Sequence, residues 1–291
     1  MNSLKDEFNE ILNIENDLLS RDFISPLLFP DVNEWTSQNI LYVGMKDENS
    51  RTRTVSSRLA EEFPGANTRF IEIESFCLSP NSFCLSPNSP TPLKPDKNYD
   101  YIIAPALKYA GKNYRPSLKI LLEHLTDSGV IAGSVYGYAG NYGLFMLHKI
   151  VLSLCSDFIL HGTTGIIDNK TLPKISLIIS AVLERLPANH PAFENKTFID
   201  SLKKGNRDTI NELIGLSEDR LFSVPRLLDE IEKSGGQFLN WVKPGLYDPG
   251  RYMESQEIYS RFKTLRVPYR WKIAELVNAG PAIHFFLAKK H

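Results

Sequence analysis

The chain has 291 residues, enough for one large domain or two small ones with a real core. At 42% hydrophobic and 23% charged, its composition is that of a globular protein, not of a disordered or fibrous one. With 33 basic against 34 acidic residues, it has no general electrostatic attraction to nucleic acid or to an anionic membrane.

Leu4–Leu19 carries apolar residues near a helical period and predicts an amphipathic helix, followed by a connector marked by Pro26 and Pro30. Lys5, Asp6 and Glu7 do not form a basic segment leading into an apolar one, so no signal peptide is expected. Apolar runs such as Leu144–Ile150 and Ile175–Leu183 end well before membrane-spanning length. Three cysteines, Cys77, Cys84 and Cys155, argue against a disulfide framework, and together these features predict a cytoplasmic protein.

Asn39–Gly44 is a short apolar run ending in glycine, the pattern of a buried parallel strand. Ser50–Phe63 predicts a helix, with Ser50 or Thr52 as its cap and Pro64-Gly65 as its stop. Thr68–Glu74 predicts a second strand ending in acid, which completes a βαβ unit. Residues 75–81 and 82–88 are identical copies of Ser-Phe-Cys-Leu-Ser-Pro-Asn, and more prolines follow. Two copies are too few and too short for a solenoid, so 75–95 predicts a surface loop. Cys77 and Cys84 lack further ligands at metal spacing, and no metal site is expected.

Tyr99–Ala104 predicts the next strand, Pro116–Leu125 a helix, Asp127–Gly129 a turn and Val130–Tyr136 a strand. Gly137, Gly140 and Gly143 then lead into an apolar helix, Leu144–Leu154. Residues 157–222 read mainly as helices and loops. Ser223–Ser234 predicts a capped helix with Gly235-Gly236 at its end, and Gln237–Val242 and Ala282–Lys289 predict the last strands. Strands at both ends around a helical block imply one sheet of about six strands with an inserted helical cap. The expected division is 1–36 N-terminal helix and connector, 37–156 core, 157–222 helical insertion and 223–291 completing the sheet.

The succession of strand plus glycine, helix, acid-ended strand, Tyr-Asp-Tyr-Ile-Ile, helix and Leu-Thr-Asp-Ser-Gly-Val-Ile resembles the class I S-adenosylmethionine (SAM)-dependent methyltransferases. The segment at Asp100 matches that family's fourth strand, and Leu125–Ile131 matches its turn into the fifth. The resemblance implies a Rossmann-like α/β sheet with an antiparallel last strand. It also implies SAM as cofactor, held by Gly44, Glu48 and Pro105, with Glu72 as the ribose-binding acid and Glu74 as its alternative. A glycine turn admits close approach of a ligand, and the following helix N-terminus offers N–H groups to a carboxylate.

The sequence departs from the family in two places. Lys46 and Glu48 stand roughly where further glycines are expected, and too few residues separate Glu74 from Asp100 for the usual extra helix and strand.

Tyr136, Tyr138, Tyr142 and His148 follow the fifth-strand match, at the edge where open α/β sheets place ligands. His148 is the candidate general base, because imidazole titrates near neutrality, although a packed histidine fits the same position. Tyr138 joins it as a candidate catalytic residue, and Tyr136, Tyr142 and Tyr247 are candidate substrate contacts. Arg51, Arg53 and Arg58 suit a solvated helix face. No P-loop, nucleophile elbow, zinc motif or dinucleotide fingerprint is present. Two functions fit these residues: methyl transfer to a small molecule or peptide, or a catalytically inactive relative acting as a protein-binding partner or scaffold.

Overall fold

The computed structural model describes residues 38–46, 51–74, 98–156, 169–248, 255–277 and 280–291. The predicted N-terminal helix, the duplicated heptapeptide and residues 47–50 lie outside them.

All the described strands join one mixed sheet. In chain order they are β1 (Asn39–Lys46), β2 (Asn67–Glu74), β3 (Tyr99–Ala104), β4 (Leu125–Gly137), β5 (Leu221–Phe222), β6 (Gly236–Trp241) and β7 (Ile283–Lys290). The order across the sheet is β2-β1-β3-β4-β7-β6, with β5 pairing against the end of β4. The first five strands run parallel, and β7 lies antiparallel between β4 and β6. The strands that carry Gly44 and Ile102 are adjacent, and the antiparallel final strand that the resemblance implies is present; the sheet has seven strands rather than about six.

Alternation along the strands builds two cores. Ile40, Tyr101, Ile103, Val130, Ala132, Phe285 and Leu287 face Leu59 and Phe63 at α1 (Arg51–Glu62) and just beyond its end. Leu41, Val43, Ile102, Ala104, Ile131 and Phe286 face the opposite way. There they meet Leu118, Leu121 and Leu122 of α2 (Tyr114–Glu123), together with Leu227 and Ile231 from the later helix Val224–Lys233.

The helix after β4, α3 (Tyr138–Leu154), starts six residues earlier than its apolar run suggested. Gly140 and Gly143 are helical, and they are glycines because backbone approaches them closely. A β-carbon on Gly140 would lie 2.6 Å from Pro281 O, and one on Gly143 would lie 2.5 Å from Ala192 N. Beyond α3 lie α4 (Leu172–Arg185), α5 (Lys196–Lys203) and α6 (Arg207–Gly215), which share a third core with Tyr136, Leu144 and Leu147.

The predicted turn at Asp127–Gly129 is an excursion within β4. Tyr99 pairs with Leu125 and Tyr101 already with Val130, so the intervening β4 residues loop out. Asp100 staples this end of the sheet, accepting from Asn39 N at 2.9 Å and from Thr126 Oγ1 at 3.0 Å.

The helix after β5 is α7 (Val224–Lys233). Ser223 does not cap it through its side chain; Val224 N instead donates to Glu275 Oε2 at 2.9 Å. Two helices not read from the sequence complete the chain, α8 (Gln256–Lys263) and α9 (Val267–Val277). No described helix is long and apolar enough to cross a membrane.

Candidate active site

The connection from β1 leads to β2 on one side, and the chain then returns to place β3 on the other. The order therefore reverses between β1 and β3, and open α/β sheets bind ligands in the crevice at the carboxyl ends of such strands. The ladder between them stops at Tyr42 and Ile103, while β1 runs on to Lys46. Gly44 sits at this crevice, directly opposite Glu72 of β2, so the glycine and the candidate ribose acid are one strand spacing apart. Pro105 opens the 3-10 turn Pro105–Tyr109 on the β3 side, and its carbonyl accepts from the buried Ser134 Oγ at 2.9 Å.

These backbone positions fit an elongated nucleoside cofactor, with an acid-bearing strand beside a glycine and α1 starting just beyond. Glu48 and the side chain of Glu72 lie outside the described residues. One detail runs the other way. A β-carbon on Gly44 would collide with the Tyr42 ring, reaching 3.2 Å from its Cζ, so the space vacated by this glycine is taken by a neighbour on the same strand.

A polar cluster stands beyond the carboxyl ends of β3 and β4. The Tyr136 hydroxyl donates to Glu212 Oε1 of α6 at 2.6 Å, and its ring meets Tyr109 edge-on at 5.8 Å. Burial raises the Tyr136 pKa well above the usual phenol value, and Glu212 and Tyr109 add to the rise, so the hydroxyl stays protonated. Arg220, just before β5, joins this group. Burial lowers its pKa, while Tyr136, Tyr109 and Glu212 work in the other direction. Tyr109, Glu212 and Arg220 were not legible as site residues, since each lies far from Tyr136 in sequence. Only the position of Tyr109, four residues after Pro105, offered a signal.

The remaining candidates disperse. His148 is buried on α3, with Nδ1 2.8 Å from Leu213 O and Phe145 stacked on its ring. Burial lowers its pKa, with Lys149 adding to the effect and the bond to Leu213 opposing it. Tyr136 and His148 thus hold consecutive residues of α6, Glu212 and Leu213, against the sheet. Tyr138 and Tyr142 are exposed, one turn apart on α3 with ring centroids 5.9 Å apart. The helical period separates them from His148, which shares the buried side with Leu144, Leu147 and Val151.

Tyr247, a candidate substrate contact by sequence, lies inside the core. Its ring stacks on Trp241 at 3.9 Å, and its hydroxyl lies 2.7 Å from His284 Nδ1. On the other side of that ring, His284 Nε2 is 3.0 Å from Phe222 O and 3.3 Å from Glu275 Oε1. Glu275 Oε1 makes no well-formed hydrogen bond, so the Phe222 carbonyl is the true acceptor and the carboxylate acts through its charge. The Tyr247 pKa is raised by burial first and by Glu275 second, which keeps the phenol a donor to Nδ1.

The fold is that of the class I SAM-dependent methyltransferases. PKMT2 from Rickettsia typhi in complex with AdoHcy superposes with a TM-score of 0.63 at 8% identity, over 94% of this chain and 54% of that one. A second structure of PKMT2 from Rickettsia typhi gives 0.60 at 9% identity, over the same shares of the two chains. The present chain therefore spans about half the length of the PKMT2 structures it matches. A mycolic acid cyclopropane synthase, CmaA1, complexed with SAH and CTAB, covers 91% of this chain and 82% of its own at 14% identity, but its TM-score is only 0.39. No family model matches the chain.

Proposed function

We propose that this chain binds SAM in the crevice between β1 and β3 and transfers its methyl group to a small molecule or peptide. The observation that carries the proposal is Gly44 facing Glu72 at the reversal of strand order, with the Tyr109, Tyr136, Glu212 and Arg220 cluster on the same carboxyl edge. The AdoHcy bound in PKMT2 supports the same assignment.

SAM, when bound, supplies a methyl group made electrophilic by a sulfonium. Glu72 holds the ribose hydroxyls, and the amides at Gly44 and the start of α1 meet the carboxylate end. Pro105 and the turn after it border the same crevice on the β3 side. The protein's work is positioning, since in-line transfer needs reacting atoms held together more than it needs acid or base catalysis. Glu212, held by the Tyr136 hydroxyl, and the neighbouring Arg220 place charged groups at the edge where the acceptor would sit. His148 and Tyr136 fix α6, and with it Glu212, over this edge, while Tyr138 and Tyr142 offer exposed aromatic faces to a larger acceptor.

A second reading, an inactive relative that binds a protein partner, draws on the Tyr42 ring filling the space beside Gly44. Calorimetric titration of S-adenosylhomocysteine separates the two. Glu72→Ala should weaken binding roughly 5- to 150-fold, the equivalent of about 1–3 kcal/mol for bonds to a charged acceptor. Gly44→Val is a poor probe, because the new side chain strikes Tyr42 whether or not a cofactor binds. Unchanged affinity in Glu72→Ala would remove the assigned ribose contact, and no binding to the unaltered chain would favour the inactive reading.

A further inference from the structure

Scattered apolar side chains on a protein surface are ordinary, but a run of them is not. Of the eleven large apolar side chains exposed among the described residues, six fall within residues 258–277, on α8, α9 and the link between them. At this corner Lys263 to Tyr269 are seven consecutive exposed residues, and Leu265, Val267 and Tyr269 among them are large and apolar. The corner is anchored from within. Phe262 is buried just before it, Trp271 packs after it on the core shared with α7, and Glu275 accepts from Val224 N. The helical period then turns Tyr269, Lys272 and Leu276 outward together, with Tyr269 59% and Leu276 62% exposed.

The same surface is basic. The whole chain carries 33 basic and 34 acidic residues, yet residues 255–277 hold Arg261, Lys263, Arg266, Arg270 and Lys272 against Glu257 and Glu275. Glu257 pairs with Arg261 at 3.4 Å, and Glu275 is buried. Lys263, Arg266 and Lys272 are exposed and make no ion pair among the described residues. Apolar side chains flanked by such cations match the boundary of an anionic bilayer, where the former enter the acyl edge and the latter meet the headgroups. Seven consecutive exposed residues make a projecting corner, which a fluid interface takes up without a matched seat. A protein partner would have to supply a hollow of the same shape.

We infer that the α8–α9 corner is a peripheral membrane-docking surface, which inserts Leu265, Val267 and Tyr269 at the edge of an anionic lipid layer and sets Lys263, Arg266 and Lys272 on its headgroups. The docking needs no cofactor and is separate from the proposed methyl transfer.

The test is cosedimentation of the whole chain with vesicles of phosphatidylcholine alone, and of phosphatidylcholine and phosphatidylserine in equal parts. Binding is expected to the anionic vesicles, weaker as salt is raised, and about ten-fold or more weaker to the neutral ones. Each cation near such a surface contributes about five-fold, so Lys263→Gln, Arg266→Gln and Lys272→Gln together should cost roughly 100-fold. Leu265→Ser, Val267→Ser and Tyr269→Ser together leave the charge unchanged and should cost about ten-fold or more. All six positions are exposed, so both variants should melt close to the parent, which thermal unfolding without vesicles checks. No binding to anionic vesicles at low salt, equal binding to both vesicles, or unchanged binding in either variant would overturn the docking surface. Binding to soluble polyglutamate but not to vesicles would overturn it too, and would assign the corner to an acidic polypeptide.

Discussion

Replacing Gly143 by alanine sets two effects of opposite sign against each other. In a solvent-facing helix, Gly→Ala stabilises by about 1 kcal/mol, because alanine is the better helix former. At position 143 the added methyl would lie 2.5 Å from both Ala192 N and Pro191 O, where ordinary contact needs about 3.5 Å. Those are backbone atoms of the Pro191–Glu194 turn, which cannot rotate aside as a side chain can, so α3 and the turn must separate by about 1 Å. Overpacking of this kind costs about 1–3 kcal/mol, and a backbone clash belongs at the upper end. The net expectation is a loss of about 2 kcal/mol, or a melting temperature lower by roughly 4–8 °C for a chain of this size. Thermal unfolding followed by circular dichroism measures it. A rise in melting temperature would mean that α3 does not approach the turn closely and that Gly143 serves only as a flexible residue.

Two other outcomes follow from the buried polar groups. Tyr247→Phe removes the donor to His284 Nδ1 inside the core and should cost about 1–3 kcal/mol, read as a lower denaturant midpoint with an unchanged slope. His148 has a folded pKa below its unfolded value of about 6.5, so the unfolded chain takes up a proton that the folded one resists. Its contribution is therefore complete above about pH 6.5 and is lost as the pH falls toward the folded pKa. The drop in stability between neutral and mildly acidic pH should be smaller in His148→Gln than in the parent.

Much of the fold could be read from residue order. Asn39–Gly44, Thr68–Glu74 and Tyr99–Ala104 are short apolar runs bounded by turn residues, and buried parallel strands leave that signal in a single sequence. The start of α3 was misplaced because Gly137, Gly140 and Gly143 read as a loop. Their meaning lies in contacts with Pro281 and Pro191, tens of residues or more away. α8 and α9 were not read at all. The candidate site was half legible: Gly44, Glu72 and Tyr136 sit on strands whose ends periodicity can locate. Glu212 and Arg220 reach Tyr136 only because the inserted helices fold back over β4, and no local pattern records that. Tyr247 read as a candidate substrate contact, whereas Trp241 and His284 draw it into the core.

The location of the cofactor is tested most directly by amide NMR of the isotopically labelled chain during titration with S-adenosylhomocysteine. The account predicts saturable shifts centred on Val43, Gly44, Glu72 and the segment from Ala104 to Ala106. Saturable shifts confined to other strands, or none at millimolar ligand, would contradict it.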